Sequence, residues 1–526
     1  MTTPSDTHEP VRGRLWLLFP LLLAGACVWA AVAIGTDQWT DWFLHPARIP
    51  EPATTREGAS LFRLMLPVAA VALVLGGVIF HTLDPGRVRR RDRPTGTPGE
   101  TLLILVTMTL ALVARLPRLT ESLWYDELAS YISYGSQGPG PIVANYFDPS
   151  NHILQTLLSW ASVRWMTPLV GDDAIALRLP ALVFSVLTVL AMYLCVRRVA
   201  EARVAAVAAL LVAILPVSVL SGVEARGYAI MIFFAAASTA ALLGAIERRS
   251  GWRWMVYAIL AALGVWAHVV TMFVFAGHAC VLVAMLARRD ARRAALAGLC
   301  AVILAAVLAA LLYAPALPDL LAQRETFAAM DGDEPSPFGI EGRHLLLQLG
   351  GSWTWWASIP TGAVACIGLV AGLRREPTRW LIVASLLGLP LFVATVIALD
   401  SWLYARFALF ALPGTIVLAA LGVDALWQRR RLVGLMALMT VCLASAMDVL
   451  TLPPKQPLRD AAMVVHDRAE PGDTVLVVGL AHRVMAYYRG DVRFAYSLHH
   501  GERLPRELEL VDPTWIIVMY PGHVSP

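Results

Sequence analysis

Charge is scarce in this sequence. Asp, Glu, Lys and Arg make up 15% of its 526 residues, whereas soluble domains carry about 25%. Hydrophobic residues make up 58% and the mean hydropathy is +0.64, which excludes an ordinary soluble fold of this size. Lysine is nearly absent, because Lys455 is the only one. In a membrane protein arginine reports the orientation of loops, so no nucleic-acid partner is predicted.

Paired cysteines and familiar nucleotide motifs are also lacking. The six cysteines lie in separate apolar runs without a CxxC spacing, which excludes a disulfide framework and a zinc ribbon. No GxGxxG or P-loop occurs in the polar tail, so no nucleotide is predicted there. The first apolar run, from Leu15 to about Ile34, has no small-residue cleavage site. It is predicted to be a retained span rather than a cleaved signal peptide.

Long apolar runs are what the sequence has instead. Crossing a hydrocarbon core takes roughly 20 apolar residues in helical form, and about thirteen such stretches can be placed. They begin near residues 15, 61, 101, 173, 204, 227, 253, 270, 294, 358, 380, 407 and 432. The uncharged stretch 255–286 is interpreted as two helices broken near His268. The sequence therefore predicts an all-α polytopic membrane protein.

Arginine clusters follow every even-numbered span. They occupy residues 87–93, 197–203, 248–253, 288–293, 374–379 and 429–431. By the positive-inside rule these loops and the N-terminus are cytoplasmic, and the odd-numbered loops and the C-terminal tail are external. The prediction is a multi-pass protein of the plasma or inner membrane in contact with membrane lipids.

Three regions are expected along the chain. Residues 1–100 hold two additional spans, and residues 101–453 form the transmembrane core, with external loops at 116–171 and 315–357. An interfacial helix is predicted from Ile153 to Trp165. Residues 454–526 have ordinary charge density and predict a small external α/β domain. Its expected elements are helices at 458–468 and 482–488 and strands at 474–478 and 515–519.

The first external loop carries the most reactive set of side chains. Asp126 and Glu127 follow Trp124 and Tyr125 directly, and a partly desolvated carboxylate there could act as a general base. Solvated acids beside an interfacial aromatic pair are the equally weighted alternative. Asp148, Asn151 and His152 share the loop, although a lone loop histidine is more often structural than catalytic.

Two other predicted external span ends carry arginine. Glu224, Arg226 and Tyr228 lie between the fifth and sixth spans, where Arg226 suits a phosphate and a simple interfacial ion pair is the alternative. Tyr404 and Arg406, preceded by Asp400 and Trp402, open the twelfth span, where snorkelling to the lipid headgroups is the alternative.

Two further polar groups lie elsewhere in the predicted external region. His268 is an ionisable residue at the edge of a long apolar stretch, and such residues are functional hypotheses by default. Asp331 and Asp333 have the spacing of a metal-binding pair, but a solvated acidic loop is the favoured interpretation. The loop that contains them is expected to be a mobile flap ending at Trp353, Trp355 and Trp356.

Five of these motifs occur in the order seen in a known superfamily. They are the run from Arg115 to Glu127, Asn151-His152-Ile153-Leu154, Glu224-Ala225-Arg226-Gly227-Tyr228, Trp266-Ala267-His268 and Tyr404-Ala405-Arg406-Phe407. The chain resembles bacterial GT-C membrane glycosyltransferases, in the branch related to protein O-mannosyltransferases and aminoarabinose transferases. The resemblance covers roughly residues 101–450.

The resemblance implies a GT-C-like fold and a sugar donor carried on polyprenyl phosphate. It implies transfer of a hexosyl or pentosyl unit, with inversion, to an external glycan, lipid or protein. Asp126 would be the catalytic base with Glu127 supporting it, and Arg226 and Arg406 would hold the phosphate. The other residues expected to bind substrate are Glu224, Tyr228, Asn151, His152 and Tyr404. No cofactor is certain, and a divalent metal at His268 is a further implication.

The chain departs from the superfamily pattern in two places. The usual His-Pro pair of the first loop is replaced by His152-Ile153, which leaves the role of His152 open, and two spans precede the usual first helix. Two other functions stay open: a lipid-linked oligosaccharide ligase or polymerase, and a lipid or sugar transporter or flippase. The absence of an internal repeat and the position of the charged residues at span ends both count against a transporter.

Overall fold

The structure is a computed structural model. It describes residues 15–48, 52–83, 97–148, 150–248, 250–323, 340–399, 404–453, 455–468, 470, 473, 475–478, 487–488, 494–498 and 515–518. Asp331, Asp333, Asp400 and Trp402 lie outside the described residues. So do the arginine cluster at 87–93, the middle of the predicted flap and most of the predicted helix at 482–488.

Within the described residues, eleven helices are long and apolar enough to cross a membrane. They are Leu15–Ala33, Ala53–Thr82, Pro98–Leu119, Asp173–Val199, Tyr228–Glu247, Val269–Leu286, Arg292–Tyr313, Trp355–Leu373, Glu376–Ala398, Ala405–Arg429 and Arg431–Thr451. The other α-helices of the described residues are Thr36–Phe43, Tyr125–Ser130, Pro139–Ala144, Ile153–Val170, Ala202–Ile214, Pro216–Ser221, Gly251–Ala267, Leu317–Ala322, Ile340–Leu349 and Leu458–Arg468. The predicted helical, multi-pass architecture is confirmed.

Two of the thirteen predicted spans are shorter helices. Ala202–Ile214 has 13 residues, and Pro216 begins a separate short helix directly after it, because proline cannot continue the ladder of hydrogen bonds. Gly251–Ala267 has 17 residues and ends where His268 adopts an extended conformation. The predicted break near His268 is therefore confirmed, while the count of thirteen spans stays a prediction.

Glycine brings two of the long helices into close contact. A Cβ atom at Gly368 would lie 1.8 Å from the carbonyl oxygen of Leu418, and one at Gly422 would lie 1.9 Å from that of Val364. Trp355–Leu373 and Ala405–Arg429 therefore approach each other to backbone distance, as small residues allow in membrane proteins. This contact fixes the helix on which Arg406 lies.

Both predicted external loops contain more helix than a loop implies. The described part of 116–171 holds three α-helices and one turn of π-helix, Tyr131–Gly135. The expected helix from Ile153 is confirmed and extends to Val170. The region 315–357 was predicted as a loop, but Leu317–Ala322 and Ile340–Leu349 are helices, because each has enough apolar residues to pack against the bundle.

The N-terminal helices contact the core and the first loop. Ala53–Thr82 packs between Leu15–Ala33 and Arg292–Tyr313. The guanidinium of Arg48 donates to the side chains of Asn145 (3.0 Å) and Asp319 (2.9 Å). Asp319 also accepts from the backbone N–H of Tyr146 at 2.6 Å. The additional N-terminal region thereby holds the middle of the first loop in place.

The tail contains a helix and a parallel sheet. Leu458–Arg468 is a helix as predicted. Strands β1 (Val475–Val478), β2 (Phe494–Leu498) and β3 (Trp515–Val518) form a three-stranded parallel sheet in the order β2-β1-β3. The sequence predicted β1 and β3 but missed β2. That the tail is a separate external domain stays a prediction.

Candidate active site

A buried arginine that has no carboxylate partner among the described residues lies next to the site. Arg115 is fully buried, and its guanidinium donates to Ser185 Oγ (2.8 Å), to the carbonyl oxygens of Ala111 (2.8 Å) and Ala213 (3.0 Å), and to both oxygens of Ser218 (3.1 Å). Every group that it contacts here is a neutral oxygen. These bonds join Pro98–Leu119 to the chain around Pro216–Ser221, just before the turn that carries Glu224 and Arg226.

Glycines hold that turn at both ends. A Cβ atom at Gly222 would lie 2.4 Å from Ser185 Oγ and 2.7 Å from Arg115 Nε. A Cβ atom at Gly227 would lie 2.5 Å from His152 Nδ1. The turn thus needs glycine at both positions in order to pack against Arg115 below and His152 beside it.

Glu127 is locked in a buried network. Its side chain is 0% exposed, and its two oxygens accept from Arg178 at 2.7 and 2.9 Å. The backbone N–H groups of Ala225 (2.6 Å) and Trp124 (3.1 Å) donate to the same carboxylate. Glu127 therefore ties the first loop to the turn at Ala225, and its oxygens are already occupied by donors.

Asp126 has a different environment, although it is adjacent in sequence. Its side chain is 18% exposed, and Oδ2 lies 3.7 Å from Arg226 Nη2 and 3.5 Å from Arg406 Nη2. These distances exceed the roughly 2.7–2.9 Å of a charge-assisted hydrogen bond. Asp126 is thus attracted by two cations without being locked by either, so its carboxylate can accept a proton or exchange partners.

The two arginines are held from different sides. Arg226 Nη1 donates to Ser130 Oγ at 2.8 Å and to the carbonyl oxygen of Ser150. Arg406 lies over the ring of Tyr404, with its guanidinium carbon 4.6 Å from the ring centroid. Within the described part of the chain, the Nε atoms of both arginines are buried without a hydrogen-bond partner. Each guanidinium therefore keeps donor capacity for an anion.

Aromatic rings fill the inner side of the site. The imidazoles of His152 and His268 have centroids 4.8 Å apart, and the ring of Tyr228 lies 5.2 Å from the first and 5.6 Å from the second. Phe407 lies 5.5 Å from His268. Among the described residues, Tyr228 Oη and His268 Nδ1 are buried without a hydrogen-bond partner, so both keep the capacity for one.

Both imidazoles are neutral at physiological pH. Burial, together with the positive charges of Arg226 and Arg406, lowers the pKa of His268 to about 3. Burial, Arg226, His268 and Arg406 hold the pKa of His152 well below its ordinary value. Desolvation and neighbouring cations both disfavour the charged form of an imidazole. Neither histidine can therefore contribute a positive charge to bind an anion.

Asn151 lies at the margin of the site. Its side-chain N–H donors bond to the carbonyl oxygens of Ile142 and Asn145, both at 3.0 Å. This arrangement holds the chain immediately before His152, the residue that precedes the helix Ile153–Val170. Oδ1 of Asn151 is buried without a partner and is the one atom of this side chain left to contact a substrate.

The environment of His268 does not fit a divalent metal. Across the described ranges, no group of three or more His, Cys, Asp or Glu side chains could hold a metal ion. The charged groups that depress the pKa of His268 are two arginines, which would repel a cation. The metal suggested for His268 therefore has no ligand set in the described part of the chain.

The structure brings two residues into the site that the sequence did not point to. Arg178, on Asp173–Val199, neutralises Glu127. Lys455, at the start of the tail, pairs with Glu224 at 2.7 Å and places Nζ 3.7 Å from the centroid of the Trp124 ring. Being the only lysine was the one signal that Lys455 offered. Lys455 and Glu224 are more than 200 residues apart in the sequence, so only the tertiary fold brings them together.

Eight of the predicted site residues are brought together. They are Asp126, Glu127, Glu224, Arg226, Arg406, Tyr228, His152 and Tyr404, and His268, the ninth residue of the cluster, lies against His152 and Tyr228. They meet where Pro98–Leu119 ends and where Tyr228–Arg248 and Ala405–Arg429 begin. The arrangement places an available carboxylate, two partly unsatisfied guanidiniums and a neutral aromatic wall around one point.

Comparisons with known proteins concern the family and the fold. The model of the dolichyl-phosphate-mannose-protein mannosyltransferase family matches residues 156–318. A comparison with curated protein sequences finds no match. ArnT from Cupriavidus metallidurans in the apo state is 12% identical with a TM-score of 0.51, over 81% of this chain and 88% of that one. The structure of the same protein bound to undecaprenyl phosphate is 12% identical with a TM-score of 0.50, over 80% of this chain and 89% of that one.

A larger enzyme also matches. The oligosaccharyltransferase of Archaeoglobus fulgidus, in complex with Zn and sulfate, is 15% identical with a TM-score of 0.42 over 79% of this chain. This chain spans 61% of the length of that one. The TM-scores of 0.51 and 0.50 show that this chain shares the fold of ArnT, and with the family match the chain resembles the GT-C membrane glycosyltransferases.

Proposed function

We propose that this protein is a membrane glycosyltransferase that moves a sugar from a polyprenyl-phosphate donor to an external acceptor. The acceptor is a cell-envelope glycan, a lipid or a protein. The observation that carries the proposal is the loosely held carboxylate of Asp126, 3.5–3.7 Å from two guanidiniums with spare donors. The undecaprenyl phosphate bound by ArnT supports a lipid phosphate as the anion.

The reaction is a single displacement with inversion. Arg226 and Arg406 bind the phosphate of the donor, where charge-assisted hydrogen bonds are strong. As they turn to the phosphate, Asp126 is released to accept the proton of the acceptor hydroxyl. The hydroxyl oxygen bonds to the anomeric carbon, and the bond from that carbon to the phosphate oxygen breaks. Its electron pair stays on the phosphate, where both arginines stabilise the growing charge.

The remaining residues position these groups. Glu127 holds the first loop against the turn of Arg226 and does not itself touch substrate, because its oxygens are occupied. Tyr228 Oη and His268 Nδ1 are suited to hydrogen-bond sugar hydroxyls. His152, Tyr404 and the free Oδ1 of Asn151 complete the surface around the sugar.

The same proposal places the site outside the plasma or inner membrane. The arginine clusters at the opposite ends of the spans make those ends cytoplasmic. A reporter enzyme fused after Pro526 should be active only on the external side. Activity in the cytoplasm would contradict the topology on which this function depends.

Replacing Asp126 by asparagine tests the mechanism. The variant should fold normally and lose at least about 100-fold in turnover, because a general base contributes about that much or more. The matched control is Asp460→Asn, an exposed carboxylate on the tail helix Leu458–Arg468. Each variant is returned to a deletion strain, and cell-envelope glycans and glycoproteins are measured by mass spectrometry. Restoration of the glycan by Asp126→Asn would rule out this mechanism.

The same measurement separates the alternatives. A glycosyltransferase of this kind adds one sugar unit, whereas a lipid-linked oligosaccharide ligase adds a block of several. A flippase would need no base, so the Asp126→Asn strain would regain the glycan. On the described spans, Arg115, His278 and Asp448 are ionisable residues that are 0% exposed, and all three are hydrogen-bonded within the bundle. This supports chemistry at the helix ends over passage through the bilayer.

A further inference from the structure

Lys455 is the sole lysine of the chain and lies at the candidate site. Its ammonium group lies 3.7 Å from the centroid of the Trp124 ring, and the guanidinium carbon of Arg406 lies 5.9 Å from the same centroid. Trp124 precedes Asp126 by two residues. A residue from the tail therefore shares an indole ring with Arg406, one of the two arginines that face Asp126.

The first loop holds the tail in this position at several points. Gln456 Oε1 accepts from the backbone N–H of Tyr125 at 2.9 Å. The backbone N–H of Arg459 donates to Ser122 Oγ at 2.8 Å, and the hydroxyl of Tyr488 accepts from the backbone N–H of Leu123 at 3.0 Å. The position of Lys455 does not depend on its own ion pair alone.

The net charge of the site without Lys455 balances the charge of the donor phosphate but not that of the product phosphate. Glu127 is neutralised by Arg178, and Asp126 is shared by Arg226 and Arg406, which leaves one positive charge in excess. That excess matches the single negative charge of a phosphodiester donor. When the bond to the sugar breaks, the phosphate becomes a monoester, whose second pKa is about 6, and it gains a second negative charge.

The third cation is within the same cluster. Lys455 pairs with Glu224 and keeps 44% of its side chain exposed, so the long flexible stem can turn from one partner to another. Resting on an indole ring and on one carboxylate, it is held close to the site without being buried in it.

We infer that Lys455, supplied by the tail, is a third phosphate-binding cation. Its ammonium group moves from Glu224 to the polyprenyl-phosphate leaving group and binds the second negative charge of that phosphate. The inference rests on the proposed function. It makes the start of the tail part of the active site. It also means that Lys455 acts on the product and on the transition state that resembles it, more than on the intact donor.

The test measures binding of undecaprenyl phosphate to the purified full-length protein in detergent, with undecaprenol as the uncharged comparison. At about pH 7.5, where the monoester is a dianion, Lys455→Gln should weaken phosphate binding roughly tenfold, as expected for one charge-assisted contact. Lys455→Arg should restore most of this affinity, and undecaprenol binding should not change. The matched control is Arg468→Gln, which removes an exposed charge from the same tail.

Two readouts separate this role from a mere tether between tail and loop. Near pH 5 the monoester carries one charge, so the defect of Lys455→Gln should shrink. Glu224→Gln breaks the same ion pair but removes a competing carboxylate, so phosphate binding should hold or tighten. If Glu224→Gln weakens binding as much as Lys455→Gln does, Lys455 is only a tether.

The remaining outcomes are equally decisive. If the wild-type protein binds undecaprenyl phosphate better than undecaprenol and Lys455→Gln matches it within about twofold, the inference falls and the proposed function stands. If the wild-type protein shows no preference for the phosphate, both fall.

Discussion

Replacing Glu127 by glutamine is expected to destabilise the protein rather than to act on the chemistry alone. The substitution keeps the size of the side chain but removes its charge. Arg178 would lose both of its contacts of 2.7 and 2.9 Å to a carboxylate. It would keep three backbone carbonyl partners, those of Leu119, Glu121 and Ser122. A buried cation would remain without its counterion.

The magnitude follows from that environment. Removing one partner of a buried ion pair costs about 3–5 kcal/mol. The three carbonyl partners of Arg178 place this case at the lower end, at about 3 kcal/mol. The N–H of Ala225 or that of Trp124 also loses part of its bond to a charged acceptor, so the turn of Arg226 should loosen as well.

Unfolding in mixed detergent and SDS micelles measures this free energy. The double variant Glu127→Gln with Arg178→Met removes both charges. It should be more stable than Glu127→Gln alone, because no unpaired charge remains. Asp460→Asn serves as the control for loss of an exposed carboxylate.

The opposite pattern would refute the reasoning. If Glu127→Gln unfolds like the wild-type protein but loses turnover, then Glu127 takes part in catalysis. If the double variant is no more stable than the single one, the buried pair is not the source of the cost.

Two further predictions concern the aromatic wall. The pKa of the buried His268 is about 3 in the folded protein, against 6.5 in the unfolded chain. Between these two pH values the unfolded chain binds a proton at His268 and the folded protein does not. Stability is therefore lost as pH falls, by about 2 kcal/mol from pH 6.5 to 5. His268→Gln should remove this loss, so that the free energy of unfolding depends less steeply on pH. An unchanged slope would contradict the low pKa of His268. Gly227→Ala would place a Cβ 2.5 Å from His152 Nδ1 and should cost about 1–3 kcal/mol in overpacking as well as turnover. Gly362→Ala, where a Cβ meets nothing within 4 Å, should be close to neutral in thermal denaturation and activity.

The sequence predicts the helices well and the site only in part. Apolar length fixes the spans, because a helix must satisfy its own backbone in lipid. Apolar length gives the wrong helix at Ala202–Ile214, because the apolar run continues past Ile214 but Pro216 begins a separate helix. Adjacency could not show that Asp126 and Glu127 face different partners, since that depends on Arg178 and Arg406, which are distant in sequence.

Long-range contacts account for the rest. Lys455 reaches Trp124 only because the tail folds back onto the first loop. That Asn151 binds substrate stays a prediction. Its amide group also donates to two backbone carbonyl groups, and no sequence motif indicates these bonds. Such contacts follow from packing, which periodicity does not encode.

The bonding of Arg115 has a consequence for how this region can change over evolutionary time. Four of its acceptors are main-chain oxygens, those of Ala111, Val212, Ala213 and Ser218, so these four bonds do not require a particular side chain. The guanidinium itself cannot be exchanged for an ammonium group, which has three donors where five are used. Relatives that preserve this support should thus share the arginine, while the buried residues that supply the carbonyl groups are limited by packing rather than by the bonds.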